Sequence, residues 1–252
     1  DSLYAVAGRN PGRMQIVYSY KELMKTVKHH KLAALSGVEG GHMIEDDLDY
    51  LGSFYKRGVR YMTLTWNNST SWATSAADES KHSFLVTPYG LNDFGKQVVK
   101  RMNELGMMID VSHNGEKTFW DVIHNTSKPI IASHSSVYAI CPVYRNLKDD
   151  QIKAIAKNGG VIQVNFYSGF IDSNYIPRLN HFLKLHQSEH DSLRNQKKLP
   201  EYAILDYLFA HYKQELQCLR PPLSLLIDHI DYIAKLVGVD YVGLGSDFDG
   251  IE

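Results

Sequence analysis

Two histidines stand at the ends of short apolar runs: His113 closes "GMMIDVSH" and His134 closes "PIIASH", twenty-one residues further on. Runs of this kind have the composition of strands covered on both faces, as in a parallel sheet. The carboxyl ends of such strands form the functional face of a β/α barrel. Other residues at corresponding places are Glu39 in "GVEGG", Trp66 with Asn67 after "RYMTLT", Asn165 in "VIQVNFY" and Asp247 in "GSDFDG". Imidazole and carboxylate together suit zinc, so the set points to metal-assisted hydrolysis, with Glu39, His113 and His134 as ligands and Asp247 as an acid beside the activated water. The glycines on both flanks of Glu39 predict a crowded backbone there. Asp249 reads as an N-cap or Asx-turn residue. The remaining histidines read as structural, and Met102, Met107 and Met108 as core filling.

Something must carry these residues to one place, and the chain alternates strand with helix, the pattern of an α/β fold with a parallel sheet. Helices are predicted over residues 19–31, with Ser19 and Glu22 spaced as a capping box, over 46–58 and 91–106, each stopped by a glycine, and over about 115–126, 148–160 and 224–238. Strands are predicted over 32–41, 59–66, 161–167 and 241–247, besides the two that end in histidine. A long polar loop runs through residue 90, and 168–222 reads as a polar insertion between the last two strands, with histidine-rich helical pieces. No strand is followed by a glycine-rich phosphate turn, which favours a barrel over an open doubly wound sheet. One partial barrel domain over residues 1–252 is expected.

Composition narrows the classes. A chain of 252 residues with 44% hydrophobic and 22% charged residues is an ordinary globular one, long enough for a β/α barrel. The net charge of −1, with no basic stripe, gives no electrostatic case for nucleic acid or a membrane surface. No stretch approaches the roughly 18 apolar residues of a spanning helix. Two cysteines, Cys141 and Cys218, read as free thiols and set no compartment.

In order and approximate spacing, "GVEGGH", "RYMTLT", "DVSH", "SHSS", "RN" followed by "DD", "NFY" and "GSDFDG" resemble the membrane (renal-type) dipeptidases, zinc metallopeptidases, over nearly the whole chain. The resemblance implies a (βα)8 TIM-like barrel of the metal-dependent hydrolase type with two zinc ions per full-length chain. It makes Glu39 the bridging carboxylate, His113 and His134 the imidazole ligands of one zinc, Arg145 the guanidinium that holds the substrate's terminal carboxylate, and Asp247 the proton acceptor beside a metal-bridging hydroxide. It implies a dipeptide substrate, with a C-terminal D-residue tolerated, in a family where homodimers are common. Independently, a lone Arg145 eleven residues beyond His134, in a loop with Cys and Pro, suits bidentate carboxylate recognition.

Three departures stand out. No His-x-Asp pair, which completes the family's other zinc, precedes Glu39. By register the chain is therefore expected to be a fragment lacking the first two strands and the C-terminal helices, with little or no activity in isolation. Trp66, followed by Asn67, stands where many members carry a carbonyl-steadying histidine; an indole or amide N–H group can donate in its place, and without one the stabilisation falls to zinc alone. Phe170 replaces an expected tyrosine. The alternatives are another barrel amidohydrolase, acting on cyclic amides or lactones, and a non-catalytic member.

Overall fold

A computed structural model of the chain describes residues 2–82 and 89–248. These fall into two compact units: the chain through Ser133 together with Ala154–Val161, and His134–Lys153 together with everything described from Ile162 onward.

The first unit opens with α1 (Ser2–Arg9), β1 (Met14–Ile16), α2 (Tyr20–Lys28) and β2 (Leu32–Ala34), then continues through β3 (Ser36–Glu39), α3 (Leu48–Lys56) and β4 (Val59–Thr63). Next come α4 (Ala76–His82), α5 (Asp93–Leu105), β5 (Met108–Asp110), α6 (Glu116–Asn125) and β6 (Ile131–Ala132). β3, β4, β5 and β6 pair in that order, all parallel. The register sets Glu39 opposite Thr63, Thr63 opposite Asp110 and Asp110 opposite Ile131, so one row of residues crosses the strand ends. Residues level across a sheet project to the same face, which is how strands far apart in sequence deliver side chains to one place.

Local chemistry explains the helix ends. Ser19 Oγ accepts from Glu22 N at 3.3 Å, while Glu22 Oε2 accepts from Tyr18 N at 2.7 Å, a capping box closed one residue earlier than the usual pattern. Past α3 and α5, Gly58 (φ +102°) and Gly106 (φ +75°) take the left-handed conformation that ends a helix. Under the strands, Ile44, Leu51, Met62, Leu64, Trp72, Val98 and Met102 are wholly or almost wholly buried. Met102 and Met107 are core residues, as expected, and Met108 is half-buried.

The structure corrects three expectations. The predicted strand 32–41 is two strands divided at Leu35: β2 pairs with β1, a strand the sequence reading missed, and β3 pairs with β4. The described residues therefore hold eight strands rather than six. The polar loop before residue 90 contains α4, begun at Ser75, whose Oγ accepts from Asp78 N at 3.1 Å.

In the second unit, β7 (Val161–Asn165) pairs in parallel with β8 (Val242–Gly245) from Ile162 opposite Val242 to Asn165 opposite Gly245. α7 (Asp149–Lys157) precedes β7 in the chain. Between β7 and β8 the predicted insertion is five helices, α8 (Ser168–Ile171), α9 (Tyr175–Leu185), α10 (Gln187–Asn195), α11 (Glu201–His211) and α12 (Lys213–Leu219), followed by α13 (Leu223–Val237). Two apolar clusters hold these helices: Tyr175, Leu179 and Phe182 in one, Leu193, Ile204 and Leu208 in the other. Both cysteines are free, and burial pushes the Cys141 thiol up to about 11.

Candidate functional site

Glu39 is the last residue of β3, and the glycines around it are there for space. A Cβ on Gly37 would lie 2.0 Å from the Tyr61 ring, and one on Gly41 would lie 2.4 Å from the Leu64 carbonyl oxygen and the Trp72 ring. Gly40 between them has φ +100°. The close-packed turn turns the Glu39 carboxylate, whose side chain is 44% exposed, toward His113: Oε1 lies 2.9 Å from Nε2.

His113 sits three residues past the end of β5 in a left-handed conformation, φ +67°, which costs an L-residue energy and persists only where surroundings enforce it. They do. The His113 carbonyl accepts from Ala76 N at 2.8 Å and from Thr65 Oγ1 at 3.0 Å. Asn114 Oδ1 accepts from the same hydroxyl at 2.9 Å, and Gly115 N donates to Thr74 O at 2.9 Å. Glu79 of α4 closes the arrangement, accepting from Thr74 Oγ1 at 2.6 Å and from Lys117 N in the first turn of α6. Burial raises the Glu79 carboxyl above its usual value, and these bonds pull it back only in part. The result is a buried imidazole with a fixed aim.

Trp66 follows β4 with its indole 47% exposed and its ring centre 6.4 Å from that of His113, tilted by 35°. Of the two asparagines after it, Asn68 is engaged with His42, Nδ2 to Nε2 at 3.0 Å, while Asn67 is exposed.

The second unit holds the other candidates. His134 begins it, buried, its carbonyl accepting from Asn165 Nδ2 at 3.4 Å. The loop that follows is pinned by Asn146, whose Nδ2 donates to Cys141 O and to Phe170 O, both at 2.8 Å. That fixes its neighbour Arg145, only 5% exposed, with the guanidinium carbon 5.3 Å from the centre of the Phe170 ring. Phe170, a departure by sequence, thus offers a π-face to a cation. Asn165, wholly buried at the end of β7, accepts from Tyr167 N at 2.6 Å and donates from Nδ2 to Asp247 Oδ2 at 3.0 Å. Asp247, like His113, has a left-handed backbone, φ +59°. Asp249 lies outside the described residues.

Thus the structure brings Glu39 to His113 in one unit and Asn165 to Asp247 in the other. Sequence reasoning missed Thr65, Asp110 and the positioning part of Asn165. The signal for Asp110 was an acid inside an otherwise apolar strand.

Another buried histidine, His229, is structural, as read. Its Nδ1 accepts from Val137 N and its Nε2 bonds Ile171 O, both at 3.0 Å. Burial holds its pKa below the ordinary histidine value. As pH falls through about 6.5, the unfolded chain takes up a proton that the folded site refuses, so this group lowers stability by up to about 1.4 kcal/mol per pH unit until the folded pKa is passed. Thermal melts between pH 7 and 5 are expected to show a shallower loss in His229→Gln than in the unaltered protein. Equal slopes would contradict it.

Over residues 1–252 the chain matches the family described as membrane dipeptidase, peptidase family M19. It is 34% identical over 220 residues to mouse Dipeptidase 3, covering 87% of this chain and 36% of that protein. To a Klebsiella pneumoniae protein from the pqqA 5′ region it is 30% identical over 249 residues, covering 99% of this chain and 77% of that one. The chain thus spans little more than a third of the mouse protein. Among solved structures, the probable dipeptidase PvdM of Pseudomonas aeruginosa superposes with a TM-score of 0.75 at 29% identity, over 98% of this chain and 65% of that one. A Rhodobacter sphaeroides metallo peptidase, liganded with a phosphinate mimic of the dipeptide L-Ala-D-Ala, shares the fold with a TM-score of 0.74 at 24% identity, over 99% of this chain and 60% of that one. With the match running the whole length, the chain belongs to the membrane dipeptidase family, peptidase family M19.

Proposed function

We propose that the intact protein is a zinc dipeptidase, cleaving the single peptide bond of a dipeptide, and that Glu39, His113 and His134 hold its metal. The carrying observation is the 2.9 Å approach of the Glu39 carboxylate to a buried, backbone-locked His113 imidazole. His134, which the sequence reading makes the third ligand, is a buried imidazole. One carboxylate and two imidazoles are a donor set that suits zinc. These three residues make the set for one ion. Bound zinc supplies Lewis acidity and an activated water at neutral pH.

The other residues bind and move protons. Arg145 takes the substrate's terminal carboxylate: a guanidinium fixed by its loop and a π-face presents a bidentate fork at one distance from the scissile bond. A tripeptide would push its carboxylate past that fork. Asp247, aimed by Asn165, accepts the proton of the attacking water and passes it to the leaving amine. Trp66 and Asn67 border the substrate beside His113, the indole as wall and N–H donor, the amide as a second donor.

The test is zinc content together with a panel of L-Xaa-L-Ala, L-Xaa-D-Ala and tripeptides. Bound zinc and cleavage of dipeptides alone, of either stereochemistry at the second residue, are expected. Metal-free protein with no cleavage would overturn the reading. In the same assay Arg145→Leu is expected to raise KM by about 10- to 100-fold, the worth of charge-assisted hydrogen bonds, with a smaller change in kcat. An unchanged KM would remove Arg145 from the site.

A further inference from the structure

We propose that Asp110 is the positioning residue of this site: a buried carboxylate that fixes the two turns presenting His113 and His134, without itself being a ligand. The inference rests on the reading of those histidines as metal ligands. Asp110 ends β5 in the row that runs Glu39, Thr63, Asp110, and it is wholly buried. Its two oxygens divide the labour. Oδ1 accepts two backbone N–H groups, from Ser112 and from Ser133, each at 3.0 Å. Oδ2 accepts two hydroxyls, from Thr63 Oγ1 at 2.7 Å and from Ser133 Oγ.

Two features give the arrangement its meaning. Each backbone donor belongs to the residue immediately before a histidine, Ser112 before His113 and Ser133 before His134. One carboxylate oxygen therefore sets the departure of the chain from two adjacent strands at once. Secondly, four donors fill the roughly four acceptor sites of a carboxylate, leaving it no capacity to bind an ion. A buried carboxylate is costly unless fully hydrogen-bonded, and this one is. It sits behind the ligand turns, where outer partners of metal ligands act, and the loss of such partners typically weakens metal binding 10- to 100-fold.

Zinc affinity, read by competition with a chelator, and melting of the metal-stripped protein would be measured on the intact protein for Asp110→Asn, Thr63→Val and Ser133→Ala. Asp110→Asn is expected to weaken zinc binding by about 10-fold or more. The two single-donor variants should weaken it less, and Thr63→Ser should restore it. Should Asp110→Asn fail to fold, Thr63→Val and Ser133→Ala decide the matter. Lowered melting temperatures with zinc affinity unchanged would make the carboxylate a folding element only and overturn the proposal. Equal weakening in Thr63→Ser and Thr63→Val would also overturn it, since shape and not the hydroxyl would then matter. His113→Asn separates the two levels: if it too leaves zinc affinity unchanged, the ligand assignment has failed, whereas its loss alongside intact Asp110 variants condemns positioning alone.

Discussion

Under the proposed function, His113→Asn is expected to strip the metal and reduce dipeptide hydrolysis by on the order of 10³-fold or more, because a bound ion would supply the activated water only while it is held. The choice of asparagine matters. His113 has φ +67°, a left-handed conformation that asparagine enters more readily than alanine, so asparagine keeps backbone strain from being confused with the chemical loss. With asparagine the carbonyl keeps its bonds from Ala76 and Thr65, and the change is confined to the imidazole that faces Glu39. Metal analysis and turnover measured on the same sample check it. A variant that keeps its zinc and more than about a tenth of its activity would dissolve the assignment.

Asp247→Asn is expected to lower kcat by about 10²- to 10⁴-fold, the usual weight of a positioned general acid–base, while the zinc content stays unchanged. Again the backbone tolerates the exchange, since φ is +59° and asparagine and aspartate both enter that region readily. The hydrogen bond from Asn165 Nδ2, 3.0 Å in length, survives through the new amide oxygen. What disappears is the ability to take and return a proton. A loss of kcat with KM nearly constant separates this from a binding defect, and a kcat within threefold of the unaltered protein would show that the proton travels by another route.

Much of the candidate site was legible because its signals are local. The apolar runs before His113 and His134 are strands, although each strand stops two or three residues short of its histidine, and Gly58 and Gly106 end their helices where expected, since periodicity and helix stops are set within a few residues. The misplaced elements failed for the same reason. Residues 32–39 read as one strand, and nothing inside the run announces that Leu32–Ala34 pairs with Met14–Ile16 while Ser36–Glu39 pairs with Val59–Thr63. Ala76–His82 looked like loop because its first turn is secured from far along the chain, by the His113 carbonyl that receives Ala76 N.

By itself, then, the sequence determined the strand-and-helix alternation, the family and the candidate residues for the chemistry, since side-chain type and short-range periodicity are properties of the chain. Tertiary structure alone decided how those residues are aimed. The left-handed turns at His113 and Asp247, the four donors converging on Asp110 and the bond from Asn165 to Asp247, which joins residues 82 apart, all depend on partners brought together by strand pairing. Such partners leave no periodic trace, because a hydrogen bond is specified by position in space and not by distance along the chain.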